Sequence, residues 1–547
     1  MKKQDKIFVL ATFGIFGFLF FHLARNMLQI SPDGWYVGQI NLYGDLVFHL
    51  SLISKFLSSN GLLIDNPIFA GTKVNYPIFA DLITAQIAAV TNLTFALFVT
   101  TSLAGLLVIY IARIFIKSFI KSEKIVFLSL LLFFINGGFG FYYFFQDLFF
   151  SQKPFVQFIL SMPHSYTDLK DKGYWWINTY LAYFLPQRTF LFAFPITLVV
   201  LMLLYSGFHK NQRKYFLLAG LLSGVLPLVQ AHSLFLIFLI LLIFAPLAVL
   251  KSSDRHKILN NLFIFALVTL VLSVPILITI SQAQNFFSFI RYDPGWTSTE
   301  NIIWFWFKNL GLFGPLLIIS LIWLYRKNRH LFLLYLPFLF IFIISNIFVF
   351  QPWDFDNSKL LVYWFFVSCI VVAYFLYDQF FQETIPKKIW GLVLVFLMTF
   401  SGSLDLLRTF TPVTKYQIFS QEDIEVAQKV KNLTAQNSVF VTASNHNHPI
   451  AALSGRSIFL GFHGWLWSHG VDFAAREKEV KEIYLGEEEA ERLIKQYRIN
   501  YVTIGPPEKT EFSINVSYFQ KYPVIYLTEG WQIYDVSHIW TDGDRQN

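Results

Sequence analysis

The chain has 547 residues, 55% of them hydrophobic and only 14% charged, with 64 phenylalanines. That balance is far from that of a water-soluble globular protein and excludes an ordinary cytosolic enzyme. The net charge of +8 does not signal nucleic-acid binding, because the basic residues fall in small groups between apolar runs, as the positive-inside bias of membrane proteins requires.

Taken in order, Lys2, Lys3 and Lys6 place the N-terminus in the cytoplasm. The first apolar run, Ile7–Phe21, continues through Ala24 without a small-residue cleavage site, so it is a retained span rather than a removed signal peptide. Further spans are expected at Phe95–Ile116, Ile125–Phe145, Phe190–Phe208, Tyr215–Val229, Ser233–Leu250, Ile258–Ile280, Ile302–Tyr325, Leu331–Phe350, Leu360–Tyr377 and Ile389–Leu407. Pro77–Val90 is too short to cross and reads as an interfacial or re-entrant helix. With it excluded, every basic cluster lands on one side. The fold class is therefore an α-helical polytopic membrane protein of about eleven transmembrane helices.

On this reading Ser31–Asp81, Gln146–Gln187, Gln282–Glu300, Gln351–Lys359 and everything after Arg408 face the extracytoplasmic side of the plasma membrane. Residues 1–407 form the transmembrane domain, with a first outer loop at 27–94, and 408–547 form an extracytoplasmic α/β domain. Within the latter, Glu422–Leu433, Asp472–Tyr484 and Glu487–Tyr497 have helical patterns. Val439–Ala443, Tyr501–Ile504 and Val524–Leu527 read as buried strands. The lone Cys369 lies within a span and cannot form an internal disulfide.

The first outer loop places Asp33, Asp45, His49 and Asp81 beside apolar sequence. If Gly44–Ser58 is helical, Asp45 and His49 stand at i,i+4 on a stripe with Leu52 and Phe56. Leu46, Leu50, Ile53 and Leu57 form a neighbouring apolar stripe, and Ser51, Ser54, Lys55 and Ser58 a wettable one. Asp45 and His49 then point toward protein, which is costly for an ionised carboxylate without a partner or a function. The plainer reading is a carboxylate favourably placed at the start of an interfacial helix.

Three further groups carry candidate chemistry. Asp354, Asp356, Asn357 and Lys359 at the mouth of a span suit a cation or a phosphate, although capping of the following helix accounts for one of them. Gln187, Arg188, Gln230, His232 and Arg291, with His164, Asp168 and Asp171, are scattered polar residues assigned to the same compartment as Asp45. Each alone reads as an interfacial anchor; together they offer cations to an anionic lipid headgroup. In the C-terminal domain, His446, His448, Arg456, His463, Trp465, His469 and Arg476 are acceptor-site or loop-domain candidates. The four histidines there lack cysteine partners and a standard zinc spacing, so a structured loop with Trp465 and Trp467 at the membrane interface is favoured over a metal site.

These features resemble the GT-C superfamily of integral-membrane glycosyltransferases, which includes oligosaccharyltransferase catalytic subunits, protein O-mannosyltransferases and lipid A aminoarabinose transferases. The matching elements are an N-in first span and a long outer loop with an acidic juxtamembrane helix, here Gly44-Asp45-Leu-Val-Phe-His49. An Asn66-Pro-Ile-Phe-Ala-Gly71 to Asn75-Tyr-Pro77 segment and a C-terminal extracytoplasmic α/β domain follow. The tail pattern Leu-Ser-Gly-Arg456, Gly-Trp465, His-Gly470 and Arg476 is similar to that of bacterial and archaeal membrane proteins of this kind. No Asp-X-Asp stands at Asp45 and no Trp-Trp-Asp-Tyr-Gly segment occurs in the tail, unlike oligosaccharyltransferases.

The resemblance implies transfer of a hexosyl or pentosyl group from a polyprenyl-phosphate donor to an extracytoplasmic glycan, lipid or protein. Asp45 matches the first-loop catalytic carboxylate, with His49 and Asp33 beside it in the catalytic set. Arg188, Lys359, Arg291 and His232 are assigned to the donor phosphate, and Asp354, Asp356 and Asn357 to a polar site able to hold Mg or Mn if one is used. No nucleic acid is expected as a partner. The rival readings are a transporter of a lipid-linked or small anionic substrate, expected to show a central path between pseudo-symmetric halves, and a scaffold, expected to show neither path nor cavity.

Overall fold

A computed structural model describes residues 3–59, 61–281 and 290–541. The expected outer loop Gln282–Glu300 thus lies partly outside the described residues. In chain order the elements begin with α1 (Lys3–Arg25), β1 (Gln29–Ser31), β2 (Gly34–Val37), α2 (Ile40–Ser58), α3 (Phe79–Val90), α4 (Leu93–Phe119), α5 (Glu123–Phe134), α6 (Phe141–Phe150) and α7 (Phe155–Leu160). Next come α8 (Arg188–Lys210), α9 (Arg213–Val229), α10 (Ala231–Lys251), α11 (Arg255–Ser281), β3 (Arg291–Tyr292), α12 (Ile302–Leu310), α13 (Phe313–Lys327), α14 (Arg329–Ser345), β4 (Phe348–Val349), α15 (Ser358–Leu376) and α16 (Ile385–Arg408). The remainder is β5 (Tyr416–Ser420), α17 (Gln421–Leu433), β6 (Val439–Val441), β7 (Ser457–Ile458), α18 (His463–Ser468), α19 (Ala474–Leu485), α20 (Glu488–Gln496), β8 (Tyr501–Ile504), α21 (Pro506–Glu511), a short turn of helix, β9 (Val524–Leu527), β10 (Gln532–Asp535) and a last helical turn.

Among the described residues, seven helices are long and apolar enough to cross a bilayer: α1, α4, α8, α10, α11, the stretch Asp354–Phe381 containing α15, and α16. An eighth is added if α12 and α13, bent by 94° at Gly311, count as one broken span. Tyr215–Val229 falls on α9 and Leu331–Phe350 largely on α14, but each helix has only 17 residues, and α14 ends at Ser345, leaving Phe348–Val349 in strand β4. The α3 helix, with 12 residues, is too short to cross, as its sequence indicated.

Ile302–Tyr325 is thus not one straight helix, and a further expected span is broken outright. Ile125–Phe145 is not one helix: α5 ends at Phe134, and α6 starts at Phe141 after an irregular turn. Asn136-Gly-Gly-Phe-Gly140 makes the break. A side chain on Gly138 would strike the Lys308 carbonyl, and one on Gly140 the Tyr166 carbonyl, so only glycine permits these approaches. The freed backbone groups are re-satisfied: Gly137 N–H donates to Met398 O at 3.1 Å, Phe139 N–H to Lys308 O at 2.9 Å, and Ser401 Oγ to Gly138 O at 2.9 Å. Irregular backbone among spans survives when it is paired in this way. Gly311, at φ 59°, packs against Gly138, so the two broken stretches meet.

The chain separates into two compact units. The first comprises residues 1–27, 98–277 and 287–415, and the second 28–97, 278–286 and 416–547. The expected division had put the first outer loop with the spans; the loop instead belongs with the C-terminal segment. Hydrogen bonding accounts for this, because β2 pairs antiparallel with both β1 and β5.

The second unit also holds a five-stranded sheet in the order β7-β6-β8-β10-β9. Strands β6, β7 and β8 run parallel, while β10 is antiparallel to both β8 and β9. Val441, Val502, Ile504 and Ile533 are fully buried in it, packed under helices that contribute Val426, Val430, Ile483 and Leu493. Val524–Leu527 corrects another expectation. It is an edge strand, with Val524 and Leu527 exposed, not a buried one.

Candidate functional site

In the second unit the site is built on α2. Gln39 caps its start, its side-chain oxygen accepting from the Asn41 N–H at 3.2 Å. Leu46, Leu50, Leu52 and Ile53 are completely buried, each stabilising the packed helix by about 1.5–3 kcal/mol relative to exposure. Asp45 is half-buried, and His49 follows one turn later at 2% exposure. The His49 Nδ1 lies 2.8 Å from Asp81 Oδ2, and Asp81, in the first turn of α3, is wholly buried. This contact fixes the imidazole orientation and joins α2 to α3.

The expected wettable stripe of α2 is a correction. Ser51, Lys55 and Ser58 are buried, and the face docks on the C-terminal segment. Ser54 Oγ donates to Ala452 O at 2.8 Å and Lys55 Nζ to Ser457 Oγ at 3.0 Å. Burial lowers the Lys55 pKa, partly offset by the Asp65 charge. Side chains that look solvated by composition are here the hydrogen-bonding seam of a packing face. Asp33 lies in the turn between β1 and β2, exposed, and accepts a hydrogen bond from Tyr36.

The tail loop closes over the same helix. Phe48 of α2 packs on Tyr76 (4.9 Å between ring centres), Trp465 (5.4 Å) and His469 (4.9 Å). His446 packs edge-on against Tyr43 at 4.6 Å, and its ring hydrogen-bonds the Tyr43 backbone. Burial lowers its pKa, with that hydrogen bond opposing. Asn445 Oδ1 and His446 Nε2 are buried without a hydrogen-bond partner among the described residues, beside a small cavity lined by Val47, Ser51, Phe462 and Trp465.

Other tail candidates are committed to the framework. His448 Nε2 lies 2.8 Å from Glu508 Oε1, both fully buried. Arg456 donates to Lys431 O and Thr434 O at 2.8 Å, closing the end of α17. Arg476 donates to Phe459 O at 2.8 Å and lies 3.7 Å above the Phe69 ring; burial pulls its pKa down to about 10. His463 stacks on Phe473. Trp467 is exposed. No group of three or more His, Cys, Asp or Glu suited to a metal occurs among the described residues.

In the first unit, the starts of α8, α10 and α15 carry a second cluster. Asp356 and Lys359 pair at 3.0 Å, where Lys359 is the second residue of α15. Both charges act on the His232 ring, at the second residue of α10, and the ring lies against the Gln351 side chain. Arg291 steadies that segment by donating to Gln351 O at 3.1 Å and Pro352 O at 3.2 Å. Tyr183, just before α8, lies against Ser358 and within the fields of Asp356 and Asp168. The Asp168 carboxyl is pushed up by burial, with Lys170 pulling the other way.

Three polar atoms here have no hydrogen-bond partner among the described residues: Gln187 Oε1, Gln230 Nε2 and His232 Nε2. The Gln230 amide is oriented from below. Ser233 Oγ donates to Gln230 Oε1 at 2.7 Å and meets the Tyr363 hydroxyl at 2.9 Å, and Tyr363 stands one turn after Lys359. The amide nitrogen is thereby left as a donor.

Arg188 is buried on Thr100 and Thr101 at 3.3 Å. Asn357 is fully engaged by Phe350 N, Ser345 O and Phe348 O, and Asp354 Oδ1 accepts from Phe355 N at 2.8 Å. The Asn357 carboxamide is thus spent on backbone and the Asp356 carboxylate on Lys359, while Asp354 accepts one backbone bond. Sequence reasoning missed Tyr183 and Ser358, whose only signal was their nearness to Gln187-Arg188 and to Lys359.

No family model and no curated protein matches the sequence. Solved structures do match. The Archaeoglobus fulgidus oligosaccharyltransferase tethered to an acceptor peptide containing the NVT sequon aligns with a TM-score of 0.52 at 11% identity, over 91% of this chain and 69% of that one. ArnT from Cupriavidus metallidurans in the apo state aligns with a TM-score of 0.52 at 11% identity, over 98% and 99%. The same protein bound to undecaprenyl phosphate aligns at 0.50 and 12%, over 96% and 97%. The likeness is one of fold, and it extends over nearly the whole chain.

Proposed function

We propose, with the GT-C fold as premise, that the chain is a multi-pass membrane glycosyltransferase that moves a sugar from a polyprenyl-phosphate donor to an acceptor hydroxyl or amide at the membrane surface, its N-terminus cytoplasmic and its C-terminal segment extracytoplasmic. The observation that carries the reading is the cluster at the starts of α8, α10 and α15. Three helix N-termini, each a partial positive charge, come with Lys359, His232, an unspent donor on Gln230, and the Tyr183 and Ser358 hydroxyls beside one another. Helix N-termini and free N–H or O–H donors are what a phosphate monoester or diester takes.

The role assigned to each part follows from the chemistry. The phosphate already makes a good leaving group, so no strong general acid is required. Lys359, Gln230 and His232 are assigned to stabilise the charge that develops on it as the anomeric C–O bond breaks. Asp45 is assigned to accept the acceptor's proton as the new bond to the anomeric carbon forms. His49, held by Asp81, keeps the Asp45 turn of α2 in place. Arg291 and Arg188 are positioning residues in this scheme, and Asp33 is outside it. In nanodiscs, undecaprenyl-phosphate sugars supplied with membrane glycans, lipids and proteins are expected to lose their sugar with wild-type protein. The Asp45→Asn variant is expected to bind donor and not transfer. Near-normal transfer by that variant would remove Asp45 from its role.

A further inference from the structure

The break after α5 leaves an element that the proposed chemistry does not use. Helices α6 and α7 form a hairpin whose inner side is a closed core of Phe144, Phe158, Met162, Tyr166, Leu169, Tyr174 and Leu404. Its outer side is apolar and uncovered: Phe145, Phe149, Phe150, Phe155, Val156 and Leu160 are 53–82% exposed. An aromatic surface of this size is not left to water without a reason.

Its placement identifies the occupant. Phe141, Phe144 and Phe145 of α6 meet the Phe400 ring of α16 at 5.8, 5.8 and 5.9 Å. Phe400 lies eight residues before Arg408 at the end of that span, about 12 Å along the helix axis. It stacks at 4.8 Å on Phe396, an exposed residue of the same apolar span. The hairpin surface therefore runs on from the lipid-facing side of a membrane helix, at a depth below its basic end. Polar groups collect at the Arg408 end: Arg408 donates to Met162 O at 3.0 Å, and Asp405 accepts from Thr167 N at 2.9 Å. Lys153, in the turn between the two helices, is exposed and bonded to Ser161. With ten residues, α6 cannot cross the bilayer.

We infer that the α6–α7 hairpin is an interfacial lipid-immersed element. It sets Phe149, Phe150, Phe155 and Val156 among acyl chains of the leaflet at the Arg408 end of α16, with Lys153 among the headgroups. The test uses the full chain in phosphatidylcholine–phosphatidylglycerol nanodiscs, with one spin label each at Phe149→Cys, Val156→Cys, Leu160→Cys and Lys153→Cys. The native Cys369 is buried and does not compete for label. Labels at 149, 156 and 160 are expected to collide with dissolved oxygen in preference to a water-soluble nickel chelate, a preference lost at 153. Nickel access at 149, 156 and 160 would place the hairpin in water, and access by neither reagent would place it against protein. Either result overturns the inference. Because all four positions lie on the surface, melting temperatures equal to wild type are expected and serve as the folding control.

Discussion

The two units differ in where their unpartnered buried polar groups gather. In the second unit His49 pairs with Asp81, His448 with Glu508, and Arg456 with the carbonyls at the end of α17, while Asn445 Oδ1 and His446 Nε2 beside the small cavity lack a partner among the described residues. At the starts of α8, α10 and α15 in the first unit, Gln187 Oε1, Gln230 Nε2 and His232 Nε2 have no partner among the described residues. A paired buried charge fixes a fold; an unpaired buried donor costs about 1–3 kcal/mol and needs a ligand or water to offset it. The contrast separates residues that build this protein from residues assigned to act in it.

The largest effect that would sharpen the contrast is expected at Asp45. Its replacement by Asn should lower transfer by about 10²–10⁴-fold with the melting temperature unchanged, read by single-turnover assay and calorimetry. Breaking a structural pair should do the reverse. Glu508→Gln leaves His448 buried without its charged partner and should cost about 3–5 kcal/mol of stability, measured by chemical denaturation.

The same carboxylate gives a pH signature. Burial alone would raise the Glu508 pKa, but the His448 charge and the hydrogen bonds from His448, Ala443 and Gly505 outweigh it, and the net direction is down. A carboxylate depressed by folding contributes its full stability above the unfolded value. That contribution fades as pH falls from about 4 through the lower folded value. Wild type should lose stability there more steeply than Glu508→Gln.

Smaller effects are expected in the first unit, on binding rather than on stability. Lys359→Gln removes a charge-assisted contact worth about 1.5–3 kcal/mol, so undecaprenyl phosphate affinity should fall roughly 10- to 100-fold by native mass spectrometry. Gln230→Leu removes one neutral donor, worth about 1 kcal/mol, and should weaken the same binding by roughly five-fold. A stability loss without a binding change in either variant would put these residues with the framework.

Much of the architecture was legible in the sequence because membrane spans announce themselves by length and by flanking charge. The α2 helix, its i,i+4 pair and the helices α17, α19 and α20 were readable by periodicity. The broken span was not, since an apolar count across Ile125–Phe145 outweighed Asn136-Gly-Gly-Phe-Gly140, the local signal for a break. Nor was the buried seam of α2, because Ser51, Lys55 and Ser58 look solvated until Ala452 and Ser457 arrive from 400 residues away. The Asp354, Asp356 and Asn357 motif was visible, but its bonding to Lys359 and to backbone is a tertiary fact that spacing does not encode.

The most direct measurement is a cryo-EM structure of the protein in nanodiscs with undecaprenyl phosphate. The account predicts phosphorus density within hydrogen-bonding reach of Lys359 Nζ and Gln230 Nε2, at the starts of α10 and α15. A phosphate seated elsewhere, with those two atoms untouched, would contradict it.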